Sequence, residues 1–153
     1  CRGMSLYKLV AVNKFFMVHI FNIRPPLERA IKDYDEVIRL DPLNIQAYFN
    51  RALSYGELHE HRRVIEDYDE AIRLDPSFSD AYYNRGLSYI ELGQFQHARE
   101  DFDEAIRLDP SSVNVYVKRA LVYQKLGKPA SAEKDREKAK ALGYSPRWTV
   151  KLR

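Results

Sequence analysis

Apolar side chains recur at spacings of three and four along most of this chain, and the spacing comes in blocks. Within Ser79–Ser112 the first half places Ala81, Tyr82, Gly86, Tyr89 and Leu92 on one helical face. Gly93 then ends that helix, because glycine takes the left-handed conformation a helix C-terminus requires. In the second half Phe95, Ala98, Phe102, Ala105, Ile106 and Leu108 keep helical spacing up to Asp109-Pro110, where proline biases its predecessor out of the helical region. The pattern predicts helix, tight turn, helix, turn.

The block before it is the same unit again. Ile45–Phe78 aligns with Ser79–Ser112 without a gap, identical at 20 of 34 positions, and the triplets Leu40-Asp41-Pro42, Leu74-Asp75-Pro76 and Leu108-Asp109-Pro110 mark the period. A fixed step of this length predicts stacked helical hairpins. Small residues at Ala52, Ala71, Gly86, Ala98 and Ala105 let helix backbones approach, while Tyr82, Tyr89 and Phe102 fill the space between hairpins. The register divides the chain into a half repeat over 24–44, full repeats over 45–78, 79–112 and 113–146, and a tail over 147–153. In the half repeat Arg24-Pro25-Pro26 closes the preceding segment and Leu27–Leu40 is a lone second helix with Ala30, Tyr34, Val37 and Leu40 on its apolar face. The last helix, Ala130–Leu142, is more polar because Arg136 and Lys140 stand where Phe102 and Ile106 stand, as expected at the solvent end of a stack. The tail predicts one further turn with Pro146 at its first position and Trp148 folding back.

This register resembles the tetratricopeptide repeats. Their pattern of aromatic, small residue, aromatic, Ala, aromatic, Ala and Pro appears as Tyr82, Gly86, Tyr89, Ala98, Phe102, Ala105, Pro110, and as Tyr48, Ala52, Tyr55, Val64, Tyr68, Ala71, Pro76. The next unit gives Tyr116, Ala120, Tyr123, Ala132, Arg136, Ala139, Pro146. The departures are Val64 for Ala, His59 for the turn Gly and Arg136 for an aromatic. The resemblance implies an all-α fold, a right-handed superhelical solenoid of antiparallel helix hairpins, and a non-enzymatic role as a protein-interaction module.

In that family the first helix of each hairpin lines the concave side, and the resemblance carries its groove positions onto Gln46, Phe49, Asn50, Leu53, Gly56 and Glu57; Asp80, Tyr83, Asn84, Leu87, Ile90 and Glu91; and Asn114, Val117, Lys118, Leu121, Gln124 and Lys125. Asn50 and Asn84 offer a donor and an acceptor to the backbone of an extended peptide, and Phe49, Tyr83, Leu53 and Leu87 offer apolar contact to its side chains. Packing of those aromatic and leucine residues against neighbouring helices is the competing expectation. Some family members clamp a chaperone's C-terminal carboxylate. Here Asn84 matches the middle Asn of that clamp and Lys118 stands for its Arg, but Phe49, Leu53 and Asn114 replace the remaining members, which leaves too little positive charge.

Residues 1–23 fit the register worst. Leu6–Phe21 is strongly apolar but is interrupted by Lys8, Asn13, Lys14 and His19, and it is shorter than the ~20 residues a membrane-spanning helix needs. A membrane span is therefore rejected. Arg2 and Lys8 ahead of an apolar run fit a secretory signal, but no small-residue cleavage pattern follows at Asn22-Ile23-Arg24. The location is left open, with the cytoplasm favoured. Two readings stay open: a divergent helix capping the stack, or disordered or foreign sequence. Cys1 at the start reads as a fragment, a processed end or a cloning remnant, with Met4 a candidate start. As the single cysteine it excludes an intramolecular disulfide.

Charge changes the picture more than composition does. The net charge is +2 over residues 1–43, −7 over 44–112 and +8 over 113–153. This dipolar distribution leaves three readings: attraction of nucleic acid or an acidic ligand to the basic end through Lys118, Lys125, Lys128, Lys134, Lys138, Lys140 and Arg147; self-association of repeat ends; or solubility alone. A protein or peptide partner is the leading expectation. Nucleic acid comes second to it.

The search for chemistry is nearly empty. His59-Glu60-His61 lacks zinc-ligand spacing and reads as a solvated turn, and there is no phosphate loop, nucleophile elbow or cysteine cluster, so no cofactor is expected. The acidic runs Asp67–Glu70 and Asp101–Glu104 recur on what reads as exposed helix surface. Arg51, Arg85 and Arg119 recur in step with Asp33, Asp67, Asp101 and Asp135, which predicts a structural Arg–Asp pair across each helix seam.

Overall fold

The computed structural model describes residues 24–145. They form seven helices: α1 (24–40), α2 (Ile45–Glu57), α3 (His61–Leu74), α4 (Ser79–Glu91), α5 (Phe95–Leu108), α6 (Val113–Lys125) and α7 (Pro129–Ala141), with no strand among the described residues. From α2 to α7 helices consecutive in the chain pack on one another, which makes a solenoid of antiparallel hairpins. The segment 1–23, Pro146 and the 147–153 tail lie outside the described residues, as do the expectations made for them.

Each hairpin turn is built by hydrogen bonds that close the first helix. After α4, Gly93 sits at φ 70°, its N–H donates to Ile90 O and the Gln94 N–H donates to Tyr89 O. This paired closure satisfies carbonyls that the helix end would leave open. Gly127 repeats it at φ 69° and Gly143 ends α7 at φ 96°. In the first hairpin the same place is held by His59 at φ 59°, with the same bonds back to Gly56 and Tyr55. A side chain at left-handed φ costs about 1–2 kcal/mol, and glycine's larger unfolded-state freedom returns about 0.4–1 of that. His59→Gly is therefore expected to stabilise the fold by about 0.5–1 kcal/mol, read as a rise in the urea midpoint at constant slope.

The turns between hairpins use the Asp-Pro pairs. Asp75 and Asp109 are extended where α3 and α5 end. Each carboxylate accepts from the backbone N–H two residues on, Ser77 and Ser111, both at 2.9 Å, and from that serine's hydroxyl at 2.6 Å. Asn44 caps α2 by accepting from the Ala47 N–H at 3.0 Å.

Two apolar clusters make the core. One joins Ile31, Tyr48, Ala52, Tyr55, Val64, Tyr68, Ala71 and Ala81, and the other joins Ala98, Phe102, Ala105, Val115 and Val122. Close approach is visible at Gly86, where an added Cβ would stand 2.7 Å from Cε1 of the fully buried Phe102 ring.

The structure differs from the sequence expectation in α1. Its described residues are helical from Arg24, so both prolines lie inside helical backbone. The stripe turned inward is Leu27, Ile31, Tyr34 and Ile38, whereas Val37 is 38% and Leu40 69% exposed. A helix this rich in apolar residues carries two overlapping stripes, and contact with the neighbouring helices selects one of them. α7 begins at Pro129, one residue before the expected Ala130, and buries only Ala132, Asp135 and Ala139.

Candidate functional site: the row of first helices and its arginine seam

The first helices α2, α4 and α6 are fixed by one recurring constellation. Arg51 on α2 donates through Nε and Nη2 to Asp67 of its own hairpin at 2.9 and 2.6 Å, and through Nη1 to Asp35 on α1 at 2.6 Å. Arg85 repeats this toward Asp101 at 2.9 and 2.6 Å and Asp69 at 2.5 Å. Arg119 does so toward Asp135 at 2.8 and 2.7 Å and Asp103 at 2.7 Å. Each guanidinium also lies over the tyrosine one helical turn earlier, Tyr48, Tyr82 or Tyr116, at 5.5–5.7 Å from the ring centre. Every arginine thus reaches sixteen residues forward and sixteen back.

The forward half of this seam matches the expected Arg–Asp pairing; the backward half does not. Asp33, expected in the series, is exposed, and at the register position of its arginine the sequence has Met17. The carboxylate that α1 contributes to Arg51 is Asp35. The acidic runs are also not uniformly on the surface: Asp67 and Asp101 are 4% and 5% exposed, whereas Glu70 and Glu104 face out and pair with Arg73 and Arg107.

Burial sets the electrostatics of the seam. Loss of water pushes the Asp67 and Asp101 carboxyls above the ordinary aspartate value, against the downward pull of their arginines' hydrogen bonds. Arg51, held by its bond to Asp67, stays charged. A carboxyl whose folded value is raised binds its proton more tightly in the native state, so its contribution to stability is complete below the unfolded value and is lost as pH rises through the folded one. Asp75 and Asp109 run the other way. The Ser77 and Ser111 hydroxyls and N–H groups hold them low, so their contribution is present above the ordinary aspartate value and is lost as pH falls. A carbon-detected NMR titration is expected to place Asp67 and Asp101 above, and Asp75 and Asp109 below, the aspartates of the unfolded chain. The reverse order would contradict this account.

The groove residues separate into packed and open groups. Phe49 is half-buried, with its ring centre 5.5 Å from Tyr68 and 4.9 Å from Phe78. Tyr83 is half-buried with its ring 6.0 Å from Phe102, and Leu87 packs on the same cluster. Leu53 and Leu121 remain 44% and 39% exposed. The amides are partly committed: Gln46 donates to the Asn50 side-chain oxygen at 3.0 Å, and Asn84 donates to the Asp80 carbonyl at 2.8 Å. Asp80, Asn114 and Lys125 are exposed, and Val117 and Lys118 are half-buried.

Two cavities open along this row. One, of about 180 Å³, lies between α2 and α4 and brings Leu53, Gly56 and Glu57 together with Asn84, Leu87 and Glu91 over a floor of Val64 and Tyr68. The other, of about 280 Å³, is lined by Val117, Leu121, Gln124, Arg136, Lys140 and Tyr144. The first also receives His61, which the sequence had placed in a solvated turn. The ring is half-buried, and its Nδ1 is buried with no hydrogen-bond partner among the described residues. Its signal was its register with the apolar Phe95.

The lysines of α7 do not share one face. Lys134 and Lys138 share a stripe of α7, whereas Lys140, two residues on, lies about 200° round the helix and lines the second cavity. Arg147 lies outside the described residues. Among the described residues there is no cluster of metal-ligating side chains, and no helix is long and apolar enough to cross a membrane.

Comparison with known proteins agrees with the register and the fold. The tetratricopeptide repeat family model matches residues 45–78 and 79–112. Two crystal structures of MamA, a protein of such repeats, superpose with TM-scores of 0.75 and 0.73 at 25% and 27% identity, covering 78% and 76% of this chain. The chain spans 70% of the first of those chains and 63% of the second. A MamA structure from Desulfovibrio magneticus RS-1, at TM-score 0.72 and 19% identity over 82% of this chain and 70% of that one, shares the fold. No curated protein sequence matches the chain. Repeats of this kind are in general a non-catalytic protein-interaction scaffold. By their 34-residue register and the family model that matches them, residues 45–78 and 79–112 are tetratricopeptide repeats, and the stacked hairpins give the described residues that family's fold.

Proposed function

We propose that this chain is a non-enzymatic scaffold that holds an extended peptide or a helix of a partner protein along the row formed by α2, α4 and α6. The observation that supports the reading is the open part of that row: exposed Leu53 and Leu121, each beside a cavity, on helices whose spacing the arginine seam fixes. A surface already in its binding shape spares the complex the ordering cost of two flexible partners. With contact confined to short apolar patches and a few amides, affinity is expected on the order of micromolar.

The test is affinity capture from the source lysate, comparing the unaltered chain with a Leu53→Asp, Leu121→Asp variant. Both sites are exposed, so the variant should keep its helicity by circular dichroism. Retention of a protein by the first and its loss by the second is the expected result. Equal retention by both removes the groove from the account. If what is retained equally is nucleic acid released by moderate salt, the basic last hairpin is the binding surface instead.

A further inference from the structure

We infer that the cavity between α2 and α4 is a pocket for one basic side chain, arginine or lysine, of the bound segment; this rests on the groove reading above and specifies it. At about 180 Å³ the space is on the scale of cavities of about 150 Å³ that admit a benzene-sized group, so it takes a single side chain. Its walls are apolar at Leu53, Val64, Tyr68 and Leu87, and its two acidic lining residues are Glu57 and Glu91. This is the division an arginine or lysine needs, with an aliphatic stem against apolar surface and a charged head among acceptors.

The acceptors are uncommitted. Glu36, Glu70, Glu104 and Glu133 each pair with an arginine three residues along their own helix. Neither Glu57 nor Glu91 has a hydrogen-bond or ion-pair partner among the described residues, although the two occupy the same register position on adjacent first helices. His61 belongs to the same lining, its Nδ1 buried and without a hydrogen-bond partner among the described residues. Placing two unpaired carboxylates beside an apolar floor favours a cation that neutralises both.

The next gap along the row is built differently, which makes the pocket singular. Ile90 stands at the register position of Gly56, and Phe95 at that of His61, and both pack into the second core cluster. Lys125 stands at the position of Glu91, and Lys118 at that of Asn84. The acidic pocket is therefore followed, one first helix later, by two cations. Directly packed helices lie about 8–10 Å apart, and α4 and α6 are each packed on α5 rather than on one another. An extended chain advances about 3.3 Å per residue, so the occupant is a segment with a carboxylate three or more residues from its basic side chain.

Random twelve-residue peptides displayed on phage and selected on the full chain test this. The expected result is enrichment of Arg or Lys with Asp or Glu three or more residues away. Fluorescein-labelled copies of the selected peptides should then lose about tenfold in affinity on Glu57→Gln, Glu91→Gln, or on replacing their basic residue with norleucine. Gly56→Ile should abolish binding while sparing the fold: a Cβ there meets only Val64 Cγ2, at 3.9 Å, and Ile is what the next unit carries. Peptides lost on Leu121→Asp but lacking a basic residue and indifferent to Glu57→Gln, Glu91→Gln overturn the pocket and leave the groove standing. Peptides indifferent to all of these variants, or a library that yields no binder, overturn both.

Discussion

Arg85→Ala is expected to lower stability by about 3–5 kcal/mol, because it leaves the carboxylate of Asp101, 5% exposed, without its bidentate partner. The same change cuts the tie to Asp69, but that carboxylate is 52% exposed, and Asp69→Ala alone should cost no more than about 1 kcal/mol. A paired replacement separates charge from packing. Arg85→Met with Asp101→Leu removes both desolvation costs at similar volume and should recover most of the loss. Equilibrium urea unfolding measures all of these, and a shallower slope for Arg85→Ala alone would show that the units on either side no longer unfold together. A loss below about 1 kcal/mol for Arg85→Ala would mean that water reaches Asp101 and that the seam is ornamental.

Phe102→Ala should cost about 3–5 kcal/mol, as expected for a wholly buried ring whose surroundings collapse only partly. The sharper test lies in its contact with Gly86. In the unaltered chain Gly86→Ala should destabilise, since the new methyl would sit 2.7 Å from the ring edge and overpacking of about 1–3 kcal/mol outweighs or matches the ~1 kcal/mol gained in helix propensity. In a Phe102→Leu background the obstruction is gone and the same substitution should stabilise. A double-mutant cycle reads this as a change of sign. Additive effects would mean that helix α4 shifts away from α5 freely.

How far these features could be read beforehand depends on what the residue pattern encodes. Gly93 and Gly127 announce the hairpin turns because only a residue without Cβ sits there unstrained, and His59 was legible as an exception through register alone. The forward Arg–Asp contacts were legible because each pair recurs in step. The backward contacts to Asp35, Asp69 and Asp103 were not, because two aspartates two residues apart repeat with the same period and nothing in the sequence says that the second serves the next unit's arginine. The same ambiguity moved Val37 and Leu40 outward in α1, where two apolar stripes overlap. In the groove, exposure of Leu53 alongside burial of Phe49 depends on what the second helix behind them carries. The cavity beneath Leu53 exists because a glycine and a histidine on different helices both left room, a coincidence visible only in three dimensions.

The arginine seam has a consequence for how such a chain changes length over generations. Each arginine takes one partner sixteen residues ahead and one sixteen behind, so the whole clamp fits within a single period. A gene segment encoding one unit, copied in tandem or deleted wherever the cut falls within the period, carries or restores both partners at the new junction. Growth and shrinkage of the array then require no compensating substitution at the joint, and the 20 of 34 positions shared by the two central units are the mark such copying leaves.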